Sequence, residues 1–128
     1  MVQEKIIIKG IPIPLKRHRH TKLGHSYNSQ RKEMDQVSFI VKSQWGFEPL
    51  SVPTRLFITF FMKIPSSLKK GLEGTYHSKR PDTSNILKFY EDSLNGVLWT
   101  DDSILVEIHA SKIYSSNPRT EIIIEPAE

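Results

Sequence analysis

Four side chains with chemical potential fall in one short stretch of this sequence, "RPDTSNILKFYEDSLNGVLWTDD", from Arg80 to Asp102. Asp82 precedes an amphipathic segment, Lys88 lies within it, and Asp101 and Asp102 follow it. Carboxylates held close together repel unless a cation lies between them. Their hard oxygens suit Mg²⁺, with Mn²⁺ as a substitute. A divalent ion held in this way beside a basic surface suits phosphodiester hydrolysis, since it activates water and offsets charge on the pentacovalent phosphorus. Lys88 can stabilise that same charge or position the phosphate. The structural alternative is that Asp82 caps a helix, Lys88 pairs with Asp92, and Asp101–Asp102 form a turn.

The segment between the acids must bring them together. Ile86, Leu87, Tyr90, Ser93, Leu94 and Val97 fall on one side of a helix over about Ser84–Asn95, and Asn85, Lys88, Glu91 and Asp92 fall on the other. Residue 83 or 84 can cap its start, and Gly96 stands where a left-handed C′ glycine belongs. About eleven helical residues span roughly 16 Å. Five extended steps from Val97 to Asp102 also cover roughly 16 Å. A returning strand therefore predicts Asp101–Asp102 beside the helix start. Strand alternation predicts that Asp102 faces Asp82, on the side of Ile104, Val106 and Ile108, with these three packed under the helix. Asp101 then points away, unless the strand begins irregularly.

The surrounding elements read as one α+β domain over residues 1–128. "KIIIKGIPIP" is a strand ended by Gly10, Pro12 and Pro14. Two short extended arms around Gly24 fit the basic segment Lys16–Tyr27. Ser29 is placed to cap a helix over Gln30–Lys42, with Met34, Val37, Ile40 and Val41 at helical spacing. Gly46 and Pro49 stop it. Arg55–Ile64 is a strand with Ile58, Phe60, Met62 and Ile64 on one face and Phe57, Thr59, Phe61 and Lys63 on the other, covered at least in part on both sides. Pro65–Lys79 is polar and reads as a mobile loop. Strands at Ile104–Tyr114 and Thr120–Glu125 close the chain, with "SSNP" (Ser115–Pro118) as a hairpin turn. The order is βαβαββ, with two helices and a mixed, largely antiparallel sheet.

Composition bounds the function. The chain is 38% apolar and 25% charged, as soluble domains are. It has no cysteine, which excludes disulfides and thiolate metal sites. No apolar run approaches a membrane span, and "MVQEKIIIKG" lacks the core of a signal peptide, so a cytoplasmic protein is expected. The net charge is +4 with a pI near 9.4. "KRHRH" (Lys16–His20) concentrates positive charge, and a polyanion such as DNA suits it. Lys16, Arg17 and Arg19 are the candidate phosphate contacts, and Lys79 and Arg80, with Lys69 and Lys70, flank the acidic stretch. A solvated basic loop is the alternative. His18, His20 and His25 resemble metal ligands in spacing, but no cysteine or nearby acid completes a zinc set. Trp45 and Trp99 fit a core, and Tyr27 fits either packing or DNA contact.

The stretch "KRPDTSNILKFYEDSLNGVLWTDDSILVEIHASK" resembles the signature of RusA-type Holliday-junction resolvases. Pro81, Asp82, Asn85, Lys88, Asp92, Leu94, Asn95, Gly96, Asp101, Asp102 and Lys112 fit that pattern, and "NPRTEIII" (Asn117–Ile124) and the basic segment before "HSYNS" extend the similarity over most of the chain. The resemblance implies an α+β homodimer that binds four-way DNA junctions and makes paired, Mg²⁺-dependent nicks in opposing strands. It implies Asp82 and Asp102 as catalytic acids and Lys88 as the catalytic lysine, and many members are carried by phages or prophages. One position departs: Ser84 stands where the pattern has a second aspartate. Either Ser84 binds metal through water while Asp101, Glu91 or Asp92 supplies the charge, or the protein cuts slowly or needs Mn²⁺, or it has kept junction binding without cleavage.

Overall fold

The structure, a computed structural model, describes residues 5–16, 19–20, 26–27, 30–68 and 71–127. Its sheet is built around β4 (Thr54–Lys63), whose β-branched and aromatic residues alternate strictly in burial. Leu56, Ile58, Phe60 and Met62 are buried, while Phe57, Thr59 and Phe61 are half-buried. With β1 (Ile6–Lys9), β5 (Leu105–Ser115) and β6 (Arg119–Pro126), β4 forms a four-stranded sheet in the order β1-β6-β4-β5. β1–β6 and β6–β4 pair antiparallel, and β4–β5 pair parallel. The expected α+β class and the largely antiparallel character are both observed.

Two helices cover one face of the sheet. α1 (Arg31–Gln44) buries Met34, Val37 and Val41, and α2 (Thr83–Leu94) buries Ile86, Phe89, Tyr90, Ser93 and Leu94. These side chains meet Ile6, Ile8, Ile122, Ile124 and the buried face of β4 in one core. Trp45 and Trp99 join that core, as their sequence context predicts. Phe89, which the helical pattern left unassigned, is fully buried. The opposite face of the sheet is left to partly covered residues, among them Phe61 under the guanidinium of Arg119, 3.8 Å from the ring centre.

Both helices shift slightly from their predicted bounds. Ser29 lies outside the described residues; Gln30 stands at the cap position of α1. Its side chain is buried instead of capping, accepting from the Lys16 N–H at 2.7 Å and donating to the Pro14 carbonyl at 2.9 Å. Gly96 adopts the expected left-handed conformation, with φ +82°. The two short arms exist: β2 (Arg19–His20) and β3 (Ser26–Tyr27) pair antiparallel, while Gly24 between them lies outside the described residues.

Three expectations are overturned. Ser115–Pro118 is not a hairpin turn, because β4 lies between β5 and β6 and the chain crosses over it. A central place for β4 pairs both of its edges and brings Leu56, Ile58, Phe60 and Met62 into the core. Val97–Asp102 is not a returning strand. Leu98 and Trp99 are fully buried, and a tight turn after Asn95, closed by Gly96 N–H to the Trp99 carbonyl at 2.7 Å, delivers them there. Val106 and Ile108 are exposed at 57% and 37%, so they do not lie packed under α2. Part of the loop Pro65–Lys79 is docked: Ser66–Leu68 form a 3-10 turn, and Tyr76 bridges to Ile113 of β5.

Candidate active site along the second helix

Asp82 occupies the N-cap of α2, yet its side chain makes no capping hydrogen bond. The cap is made by its backbone, whose carbonyl accepts from the N–H groups of Asn85 and Ile86, both at 3.1 Å. The exposed carboxylate is therefore unspent and stands among the free N–H groups of a helix N-terminus. A cavity of about 710 Å³ opens beside it, lined by Pro14, Arg80, Pro81, Asp82 and Asn85. Leu15 N–H donates to the Asn85 carbonyl at 3.1 Å, and Ile13 N–H to the Tyr90 hydroxyl at 3.1 Å. These bonds carry the chain past the start of α2 and deliver exposed Lys16 to its vicinity. Lys79 and Arg80 are exposed next to Asp82. Arg17 lies outside the described residues, as do His18, His25, Lys69 and Lys70; the side chains of Arg19, His20 and Tyr27 do too.

What holds Asp82 in place is Lys112. This lysine is only 9% exposed, and its ammonium donates to the carbonyls of Lys79 at 2.5 Å and Pro81 at 2.6 Å. The two carbonyls flank the cis peptide between Arg80 and Pro81. A buried cation on backbone dipoles replaces its lost hydration with fixed partial charges. His77 neighbours it, donating its N–H to the Lys112 carbonyl at 3.0 Å and packing its ring on Tyr114 at 4.7 Å. Burial and the Lys112 charge push the His77 imidazole below its usual range. Lys112 fits the sequence pattern, but no chemistry was legible for it; only the fold shows which carbonyls it reaches.

Asp102 acts on the later part of the helix. It begins a 3-10 turn, Asp102–Ile104, ahead of β5, and its charge is felt by Glu91 on the third turn of α2. Burial first, then Asp102 and Asp92, push the Glu91 carboxyl above its usual range, against the pull of Lys88. Asp82 and Glu91 are nine residues apart, roughly 13 Å along a helix axis. β5 gives a second measure: from its start at Leu105 to Lys112, beside Asp82, is roughly 23 Å of strand. The structure shows two sets of partners along α2. One is Asp82 with its Lys112 brace, and the other is Asp102 with Glu91; exposed Lys88 lies on the helix between Asp82 and Glu91. Asp101 is exposed as expected; its carboxylate accepts from Ser103 N–H at 3.1 Å, and Ser103, through its side chain first and its backbone second, holds it below its usual range. Ser84 is exposed in the first turn of α2.

The donors suit a hard divalent cation: all are carboxylates, and the gathering of Glu91, Asp92 and Asp102 carries the mutual repulsion that a cation relieves. Within one chain, among the described residues, no three His, Asp or Glu side chains are grouped closely enough to bind it. No helix of the described residues is long and apolar enough to cross a membrane.

The molecule is a small α+β protein with acids along one helix and basic residues beside them. The chain belongs to the RusA family: the family model described as endodeoxyribonuclease RusA matches residues 9–125. It is also similar to "Uncharacterized protein YqaN" of Bacillus subtilis (strain 168), 27% identical over 94% of each chain. Family membership implies an endonuclease that resolves Holliday junctions, with branched DNA as its partner.

Proposed function

We propose that this protein is a metal-dependent endodeoxyribonuclease that resolves four-way junctions as a homodimer, through paired nicks in opposing strands. The observation that carries the reading is the unspent carboxylate of Asp82 at a helix N-terminus, braced from behind by Lys112 and flanked by Arg80. Asp82 and Asp102 are the ligands for Mg²⁺, or Mn²⁺ in its place, with Asp101 in reserve because its carboxylate is engaged with Ser103. When bound, the ion supplies an activated water and offsets charge on the phosphorus. The chain's own groups do the rest. Lys16, Arg17, Arg19, Lys79 and Arg80 hold the backbone of the junction arms without reading sequence. Lys88, on the exposed face of α2, contributes positive charge where negative charge grows on the phosphate oxygens.

Ser84 supports a second reading, a junction-binding dimer with little or no cleavage, because an exposed hydroxyl stands where the family pattern has a second carboxylate. One experiment separates them. Purified protein is incubated with a labelled synthetic four-way junction and Mg²⁺ or Mn²⁺. Symmetric nicks that need the metal support the nuclease; tight binding with no nick under either metal leaves the binding module.

A further inference from the structure

The helices cover one face of the sheet, and the residues of the other face are half-buried or exposed. Register sets five of them in one line. Lys9 of β1 pairs with Arg119 of β6, Arg119 with Phe61 of β4, and Phe61 with Ile113 of β5. Ile113 in turn lies opposite Tyr76 of the docked segment. Residues directly opposite one another in neighbouring strands share a face, so all five side chains stand on the open side. Four steps of about 4.8 Å make the line roughly 19 Å long.

The fold holds the ring-bearing groups of this face still. Tyr76 is 78% exposed, and among the described residues its ring and hydroxyl have no partner. Its backbone is clamped on both sides, by Tyr114 N–H to the Thr75 carbonyl at 2.9 Å and by His77 N–H to the Lys112 carbonyl at 3.0 Å. His77 turns its ring onto Tyr114, and strand alternation turns Tyr76 the other way. The Arg119 guanidinium lies 3.8 Å over the Phe61 ring centre, fixed by Glu121 at 2.7 Å and by the Asn117 carbonyl at 2.9 Å. Further along the same strands and on the same side, Phe57 and exposed His109 stack at 4.9 Å with 11° between their planes.

The acids of this face are already engaged. Arg55 binds Glu107 and Glu125, both at 2.8 Å, Glu121 is shared by Lys5 and Arg119, and Glu73 beside Lys63 accepts from Ser116 N–H at 2.8 Å. Lys9 and Lys63 are exposed, and among the described residues their ammonium groups make no ion pair. The charge left over is positive, and it lies at the end of the sheet where Tyr76 stands.

We propose that the open face is a second DNA surface, a platform for single-stranded DNA, with bases on Tyr76, Arg119 and His109 and phosphates on Lys9 and Lys63. Every base has a π face, so stacking on rings and guanidinium groups ignores sequence but requires bases released from their pairs. A continuous duplex hides those faces in its own stack. The platform therefore favours frayed, forked or gapped arms. It is joined to the candidate site, since six residues separate Tyr76 from Asp82, at most about 22 Å of chain, and exposed Lys79 and Arg80 lie between. That link rests on the catalytic reading of Asp82 given above; the platform itself does not.

Fluorescence titration of a labelled oligothymidylate of roughly 12 nucleotides, within the usual range of single-strand site sizes, tests it. The wild-type protein is expected to bind, and Tyr76→Ala to weaken binding roughly tenfold through loss of one base–aromatic stack. Tyr76→Phe keeps the ring and should bind like the wild type. Lys9→Ala should lower the slope of log affinity against log salt by roughly 0.7, the share of one phosphate contact on a single strand. A linear duplex of the same length should bind equally to the wild-type protein and to Tyr76→Ala. No binding of the oligothymidylate, an equal loss on duplex, or the same loss in Tyr76→Phe overturns the platform and leaves the open face to a protein partner. These titrations need no cleavage, so a wild-type protein that binds but does not cut would overturn the nuclease reading alone.

Discussion

On the proposed reading the chemistry turns on Asp82, because a carboxylate at a helix N-cap ordinarily satisfies the first N–H groups and here does not. Asp82→Asn and Asp102→Asn are expected to abolish junction cleavage while leaving junction binding equal or tighter, since each removes a negative charge facing DNA. Gel-shift and cleavage assays on the same preparations check both. Lys88→Ala should lower the cleavage rate by tenfold or more, on the order of 1.4 kcal/mol or above, with a smaller change in binding, if the lysine acts on the transition state. Ser84→Asp restores a charge beside Asp82. It should tighten Mg²⁺ binding by roughly tenfold, about 1.4 kcal/mol. Without metal, repulsion from Asp82 opposes the favourable helix dipole, worth about 0.3–1 kcal/mol, so little net change in melting temperature is expected. Metal titration by calorimetry and thermal melts of the metal-free protein check the two halves. A gain in cleavage would mark the natural site as one acid short, and no gain would mean that Glu91 or another acid already fills the gap.

At the scale of elements, α2 is positioned from both ends: Lys112 of β5 grips the loop before it, and the turn through Leu98 and Trp99 anchors its exit. Lys112→Met keeps the aliphatic stem but leaves two partly buried carbonyls without a donor, at about 1–3 kcal/mol each. A loss of roughly 2–6 kcal/mol by denaturant unfolding is expected on that basis. The docked segment that carries His77 has its own signature. The folded state holds the imidazole below its usual range, so the unfolded chain binds the proton more readily. The stability tied to His77 is therefore full above the ordinary histidine range near pH 6.5 and is lost as pH falls through the lower folded value. The wild-type melting temperature should drop more steeply than that of His77→Gln between pH 7.5 and pH 5.5; parallel curves would exclude His77 as the cause.

For the whole molecule, the proposed reading assigns the affinity for junction DNA to the basic surface. Each phosphate contact contributes roughly 0.9 to the slope of log affinity against log salt. Replacing Arg17 and Arg19 with Ala should therefore lower the slope by roughly 2 and weaken binding to all junction sequences alike. Fluorescence titrations at several salt concentrations check this, and an unchanged slope would remove the arm from the DNA surface. Assembly belongs to the same scale: two symmetric nicks require two centres, and a two-fold dimer matches the approximate symmetry of a four-way junction. Leu56, Ile58, Phe60 and Met62 of β4 are taken up by the protein's own core and offer no surface to a partner.

Local pattern alone determined much of this protein. The spacing of Ile86, Tyr90 and Leu94 with Gly96 behind them defines α2, because helical periodicity and a left-handed stop are properties of neighbouring residues. The alternation through β4 names its buried face for the same reason, and the ordered acids, Lys88 and the motif around them identify the family that the comparison establishes. Other features required the tertiary structure. Periodicity says which face of a strand is buried but not which strand lies beside it, so the insertion of β4 between β5 and β6 was invisible and Ser115–Pro118 read as a hairpin. The length match between α2 and Val97–Asp102 was sound arithmetic on the wrong conformation, since burial of Leu98 and Trp99 bends the chain before it can extend. Lys112 gained a role only when distant carbonyls were placed against it. In each case the deciding free energy lies in non-local packing and pairing, which a pattern of neighbours does not contain.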